Sequence, residues 1–62
     1  MKDYRVHAIY PDGTEDMLNV KYPNDIAAVI EFNLTAKVTN IKTWLMINDE
    51  NEWIAIDGQL IH

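Results

Sequence analysis

From Thr43 to Ile56 the chain reads Thr-Trp-Leu-Met-Ile, then Asn48-Asp49-Glu50-Asn51, then Glu-Trp-Ile-Ala-Ile, which is a hairpin with large apolar groups at successive positions of both arms. Strand side chains alternate between faces, so a hairpin of this composition is apolar on both sides. Only one other segment has helical character, and one helix covers one face of a sheet. The second face needs another cover. Few substitutes for a core are available, because a 62-residue chain without cysteine has neither disulfides nor thiolate metal sites. A domain of this size buries only about 60% of the surface its unfolded chain exposes.

Length and charge exclude several classes. Residues 1–62 form a single small domain, with no low-complexity stretch to mark a linker. His7 and His62 are too few for a zinc site, and no cofactor or metal motif is present. No apolar run approaches the roughly 20 residues that span a bilayer, and Met1 to Val6 lacks the apolar core of a signal peptide. A soluble cytoplasmic protein is expected. Ten acidic against five basic side chains give a net charge of −5. This charge repels nucleic acid backbones and anionic membranes and favours a neutral or basic protein partner.

Asp3 to Tyr10 alternates as a half-buried strand, with Tyr4, Val6 and Ala8 inward. Pro11-Asp12-Gly13-Thr14 turns it, with Gly13 supplying the positive φ of a three-residue loop closed by a bulge. That loop places Ala8 opposite Asp16, Val6 opposite Leu18, Tyr4 opposite Val20 and Asp3 opposite Lys21. Apolar meets apolar and charge meets opposite charge. Tyr22-Pro23-Asn24-Asp25 then starts a helix that the pattern carries to about Leu34. Ile26, Ala27, Ile30 and Leu34 share its inward stripe, with Val29 at the edge, while Asp25, Ala28, Glu31 and Phe32 point elsewhere. Residues 35–40 connect onward, and Lys37 complements the helix C-terminus.

Taking Asn48 to Asn51 as a four-residue loop pairs Leu45 with Ile54 and Thr43 with Ile56 toward the core. On the reverse side Met46 meets Trp53, Trp44 meets Ala55 and Lys42 meets Asp57. Asp57-Gly58 ends that strand, and residues 59–62 add a short strand or fray. The elements run ββαββ, an α+β fold with a four-stranded, mainly antiparallel sheet and one helix on one face. Two strand orders suit it, both with a right-handed crossover. One is 4-3-1-2. The other, 2-1-4-3, looks like the opening of a ubiquitin-type β-grasp, a likeness of topology alone.

The expected core is Tyr4, Val6, Ala8, Leu18 and Val20 from the first hairpin, Ile26, Val29, Ile30 and Leu34 from the helix, and Ile41, Leu45, Ile54 and Ile56 beyond it. The uncovered face then collects Asp3, Arg5, His7, Ile9, Glu15, Met17, Asn19, Lys21, Lys42, Trp44, Met46, Trp53, Ala55 and Asp57. Its three basic and three acidic groups cancel, leaving a neutral tryptophan-bearing face inside an acidic rim that includes Asp12, Asp16, Asp49, Glu50 and Glu52. Trp, Met and Arg are enriched at the centres of protein interfaces. The pattern therefore predicts a non-enzymatic protein-binding module that pairs with a second copy of itself. Trp44, Met46 and Trp53 form the apolar centre, and Arg5, His7, Met17, Lys21 and Lys42 surround it. The alternative is an inhibitor of phage or bacterial type whose acidic rim imitates a nucleic acid backbone and blocks a DNA- or RNA-handling enzyme. A monomer in which the tail or the connector folds over the tryptophans is the third arrangement.

Overall fold

A computed structural model describes residues 1–61; the end of the expected tail, His62, lies outside them. The elements are β1 (Lys2–Ile9), β2 (Glu15–Tyr22), α1 (Asp25–Val38), β3 (Thr43–Asn48), β4 (Trp53–Ile56) and β5 (Gln59–Leu60). All strands pair antiparallel in the order β2-β1-β3-β4-β5. The antiparallel 4-3-1-2 arrangement is thus present with a fifth strand added at its edge. The β-grasp-like 2-1-4-3 order is not formed, because β1 pairs with β3 and not with β4.

The first hairpin has the register expected from its turn, with Val6 opposite Leu18, Tyr4 opposite Val20 and Asp3 opposite Lys21. Tyr10 N–H donates to Thr14 O at 2.9 Å and Gly13 N–H to Tyr10 O at 2.9 Å, with Gly13 at φ 90°. Lys21 Nζ lies 2.9 Å from Asp3 Oδ1.

The second hairpin turns by the same rule, and this corrects its expected register. Asn48 N–H donates to Glu52 O at 3.0 Å, Asn51 N–H donates to Asn48 O at 3.1 Å, and Asn51 takes φ 62°. The loop is therefore Asp49 to Asn51, three residues and not four, because asparagine enters the left-handed region that Gly13 occupies in the first loop. Asn48 Oδ1 accepts the backbone N–H groups of Glu50 and Glu52, each at 2.9 Å, and fixes the turn. One residue of slip exchanges the faces of β3. Val6 faces Met46 and Ala8 faces Trp44, so Trp44 and Met46 point under the helix and Leu45 points away from it. A bulge then leaves Ile54 without an opposite residue between the Ile47–Trp53 and Met46–Ala55 pairs. Ile54 and Ala55 are both buried, and Ile56 is exposed rather than in the core. The expected Lys42–Asp57 pairing does not form: Asp57 accepts from Thr43 Oγ1 at 2.6 Å, and Lys42 N–H donates to Ile9 O at 2.8 Å.

Helix α1 begins where Asn24 Oδ1 accepts Ala27 N–H at 2.8 Å. It runs one turn past Leu34. Its stop is Asn40, at φ 59°, with Ile41 N–H donating to Ala36 O at 2.9 Å and Asn40 N–H to Lys37 O at 3.4 Å, a C-terminal pattern that needs a left-handed residue. The buried face is Ala28, Val29, Phe32 and Ala36. Ile26, Ile30 and Leu34, expected inside, face solvent. The docked side carries the bulky Phe32 between the small Ala28 and Ala36, and its ring meets that of Trp44 edge-on with centroids 4.8 Å apart. Tyr4, Val6, Met46 and Ile54 complete the core, with Leu18, Val20, Tyr22, Ile41 and Leu60 packed at its border.

Asp57 at φ 53° and Gly58 at φ 75° make the two-residue turn from β4 to β5, the mirror-image geometry that matches strand twist. Gly58 also lies on the indole of Trp44: a Cβ there would sit 3.2 Å from Nε1 and 3.1 Å from Asn33 Oδ1. The β4–β5 turn thus lies against the ring, and Leu60 of β5 packs at the border of the core. Tyr4 ties the sheet to the helix start, its hydroxyl donating to Asp25 Oδ1 at 2.6 Å. Burial, and then the Asp25 carboxylate, push the Tyr4 phenol well above its ordinary range; burial, then Glu31, push Tyr22 upward as well. A phenol that holds its proton more tightly when folded stabilises the fold fully below about pH 10 and loses that contribution as pH rises beyond. Stability should therefore fall above about pH 10, with a slope of up to roughly 1.4 kcal/mol per pH unit from the buried Tyr4. Tyr4→Phe should flatten that slope in urea titrations across the range, and an unchanged slope would refute it.

Candidate functional site

The sheet face away from α1 is open. Across it run two rows fixed by the register: Met17, His7 and Leu45 in one, and Asn19, Arg5, Ile47 and Trp53 in the other. Met17 is 60% exposed and Trp53 51%, whereas Leu45 and Ile47 are half-buried. Arg5, His7, Met17, Leu45, Ile47 and Trp53 line a shallow groove of about 120 Å³. Exposed Ile56 extends the apolar part along β4.

The polar groups on this face are held in pairs. His7 Nε2 contacts Glu15 Oε1, Lys21 reaches Asp3, and the Arg5 guanidinium reaches Asn51 Oδ1 at the tip of the second hairpin. The outward charges of β1 and β2 are Asp3 and Glu15 against Arg5 and Lys21, so the face is formally neutral within a chain of net charge −5. Its β2 side carries the ionic pairs, and its β3–β4 side carries the aliphatic and indole groups.

Of the expected interface residues, the structure gathers Arg5, His7, Met17, Lys21 and Trp53 on this surface. Trp44, 3% exposed, and Met46, fully buried, are corrected to the core, because the shorter loop inverted β3. Lys42 stays exposed just before β3. Leu45, Ile47 and Ile56 take the vacated places. Their signal in the sequence was Asn51, the asparagine able to serve as the left-handed residue of a three-residue loop.

The acidic rim divides. Asp12 lies in the turn that follows Ile9 and Asp16 beside it at the start of β2, whereas Asp49, Glu50 and Glu52 surround the turn that follows Asn48, and Asn48 lies opposite Tyr4 near the other end of β1. All five are exposed, but they form two clusters and not one line. In the first cluster, Asp12 accepts from the Thr14 hydroxyl at 2.6 Å and the Thr14 amide at 2.9 Å, and these bonds hold its carboxyl below the usual range.

A second apolar surface was missed altogether. Ile26, Ile30, Leu34 and Val38 recur every fourth residue along the solvent side of α1, with Ile30 58% and Leu34 61% exposed. Apolar residues therefore occupy both sides of this helix. Such a helix is ordinarily enclosed.

Among the described residues, no three His, Asp or Glu side chains are grouped to hold a metal, and no helix is long and apolar enough to cross a membrane. Compared with models of protein families, with curated proteins and with solved structures, the chain matches none.

Proposed function

We propose that this chain is a non-catalytic protein-binding module that associates with a second copy of itself through the open sheet face, with Trp53 at the centre of the contact. The observation that carries this reading is a half-exposed indole beside Met17, Leu45 and Ile47 on a face whose formal charges cancel. Two copies of a −5 chain repel each other over most of their surface, and this face is where they meet without that penalty. A two-fold contact of a patch with itself is the commonest arrangement among soluble oligomers. Arg5 and His7, opposite Ile47 and Leu45, supply the polar border that such contacts carry.

The helix row is the rival surface, so the test sets one against the other. Replacing a central interface tryptophan costs about 2 kcal/mol or more, roughly thirtyfold in affinity. Trp53→Glu should halve the weight-average mass in sedimentation equilibrium at concentrations where the wild type is associated, and Leu34→Glu should leave it unchanged. Loss of association with Leu34→Glu but not with Trp53→Glu would transfer the contact to α1 and refute the sheet-face reading.

A further inference from the structure

Strand β2 is one edge of the sheet, eight residues long, without proline or bulge. Its free side can be assigned residue by residue. Tyr10 N–H bonds to Thr14 O, so the hydrogen-bonded positions of this hairpin are Asp16, Leu18, Val20 and Tyr22. The backbone N–H and C=O groups of Glu15, Met17, Asn19 and Lys21 therefore point outward. Among the described residues no strand pairs with them. One of the four donors is occupied: Met17 N–H bonds at 2.9 Å to Oδ1 of Asp16.

We propose that β2 also pairs antiparallel with β2 of a second copy, about a two-fold axis at Leu18. Pairing must join outward-facing positions and keep each side chain on its own face, so a symmetric contact is centred on a residue and not between two, and around the middle of β2 the centres are Met17, Leu18 and Asn19. Charge selects the middle one. It sets Glu15 opposite Lys21 of the second copy twice over, extending each Asp3–Lys21 pair into a row of alternating sign across the seam. The registers centred on Met17 and Asn19 leave Glu15 and Lys21 opposite uncharged residues. On the helix side the chosen register brings Leu18 against Leu18. Leu18 and Val20 are the core-border residues at this edge, each covered on one flank only. The contact would make two five-stranded sheets into one of ten strands, and it meets the open face only along its β2 margin, leaving Leu45, Ile47 and Trp53 uncovered. Pairing exchanges the Asp16 carboxylate on Met17 N–H for the Asn19 carbonyl of the second copy, so Asp16 acts as a brake on the edge.

The absence of native cysteine makes the register directly readable. Residues facing each other across a non-hydrogen-bonded antiparallel pair have Cα atoms about 4.5 Å apart, inside the disulfide range of about 4.4–6.8 Å. In a Trp53→Glu background, which removes the face contact, Leu18→Cys should convert to a disulfide-linked dimer under mild oxidation, at least tenfold faster than Asp16→Cys or Val20→Cys. Lys21→Glu should abolish the cross-link, adding Glu15→Lys should restore it, and Asp16→Thr should speed it. Equal linking at all three positions, or a Leu18→Cys chain that stays single, would overturn the edge contact. Should Leu18→Cys fail to fold, the Lys21→Glu and Glu15→Lys pair read by sedimentation in the same background decides: no change in mass with Lys21→Glu overturns the proposal. These readouts are separate from the mass change that tests the face contact.

Discussion

Trp44→Ala should cost about 3–5 kcal/mol of folding stability, the range for removing a buried large aromatic side chain, while Trp53→Ala should cost less than about 1 kcal/mol. A 62-residue domain has a total stability of roughly 3–9 kcal/mol, so the first variant should lose from about a third to all of its stability and the second should stay folded. The difference follows from position. Trp44 is 3% exposed, meets Phe32 edge-on, faces Ala8 across the sheet and lies under Gly58. Its small neighbours Ala8 and Gly58 have no side-chain bulk with which to fill the space the indole would leave. Trp53, on the opposite face, gives up only contacts with the groove. Urea unfolding of the two variants checks this, and comparable losses would mean that both indoles are structural and the open face is not open.

Phe32→Ala should cost a similar 3–5 kcal/mol, whereas Ile30→Ala and Leu34→Ala should change stability by no more than about 0.5 kcal/mol. Two of these three residues were expected in the core from spacing, so the comparison tests the rotation of the helix. Phe32 is 1% exposed, whereas Ile30 and Leu34 are more than half exposed. Alanine is also the better helix former at both exposed sites, which offsets part of the lost contact. Thermal and urea midpoints of the three variants would decide it. A Leu34→Ala loss as large as that of Phe32→Ala would return the aliphatic row to the interior.

The first hairpin was legible because its turn announces itself: Pro11-Asp12-Gly13 admits few geometries, and the Asp3–Lys21 pairing agrees with the apolar register. The second was misread by one residue because Asn51 can enter the left-handed region as glycine does but does not have to. A single residue of slip then exchanged Trp44 and Met46 for Leu45, Ile47 and Ile56. The helix was misread for a different reason. Its apolar residues lie on both sides, so spacing alone could not decide which side docks, and the docked side is the one whose Phe32 ring meets Trp44 edge-on. The same ambiguity shortened the helix, since its stop is written in Asn40, another asparagine at positive φ. What the sequence did carry correctly is the excess of apolar surface over what one helix can cover. The structure redistributes that excess to the Trp53 face and to the outer row of α1.

Sedimentation equilibrium of the wild-type chain across a range of concentrations, at low and at high salt, addresses self-association through the neutral Trp53 face most directly. The expected mass exceeds that of a single chain and stays above it as salt rises, because the face contact is apolar and carries no net charge, whereas the Glu15–Lys21 contact along β2 is the part that salt weakens. A single-chain mass at every concentration, or association that dissolves as salt is added, would contradict it.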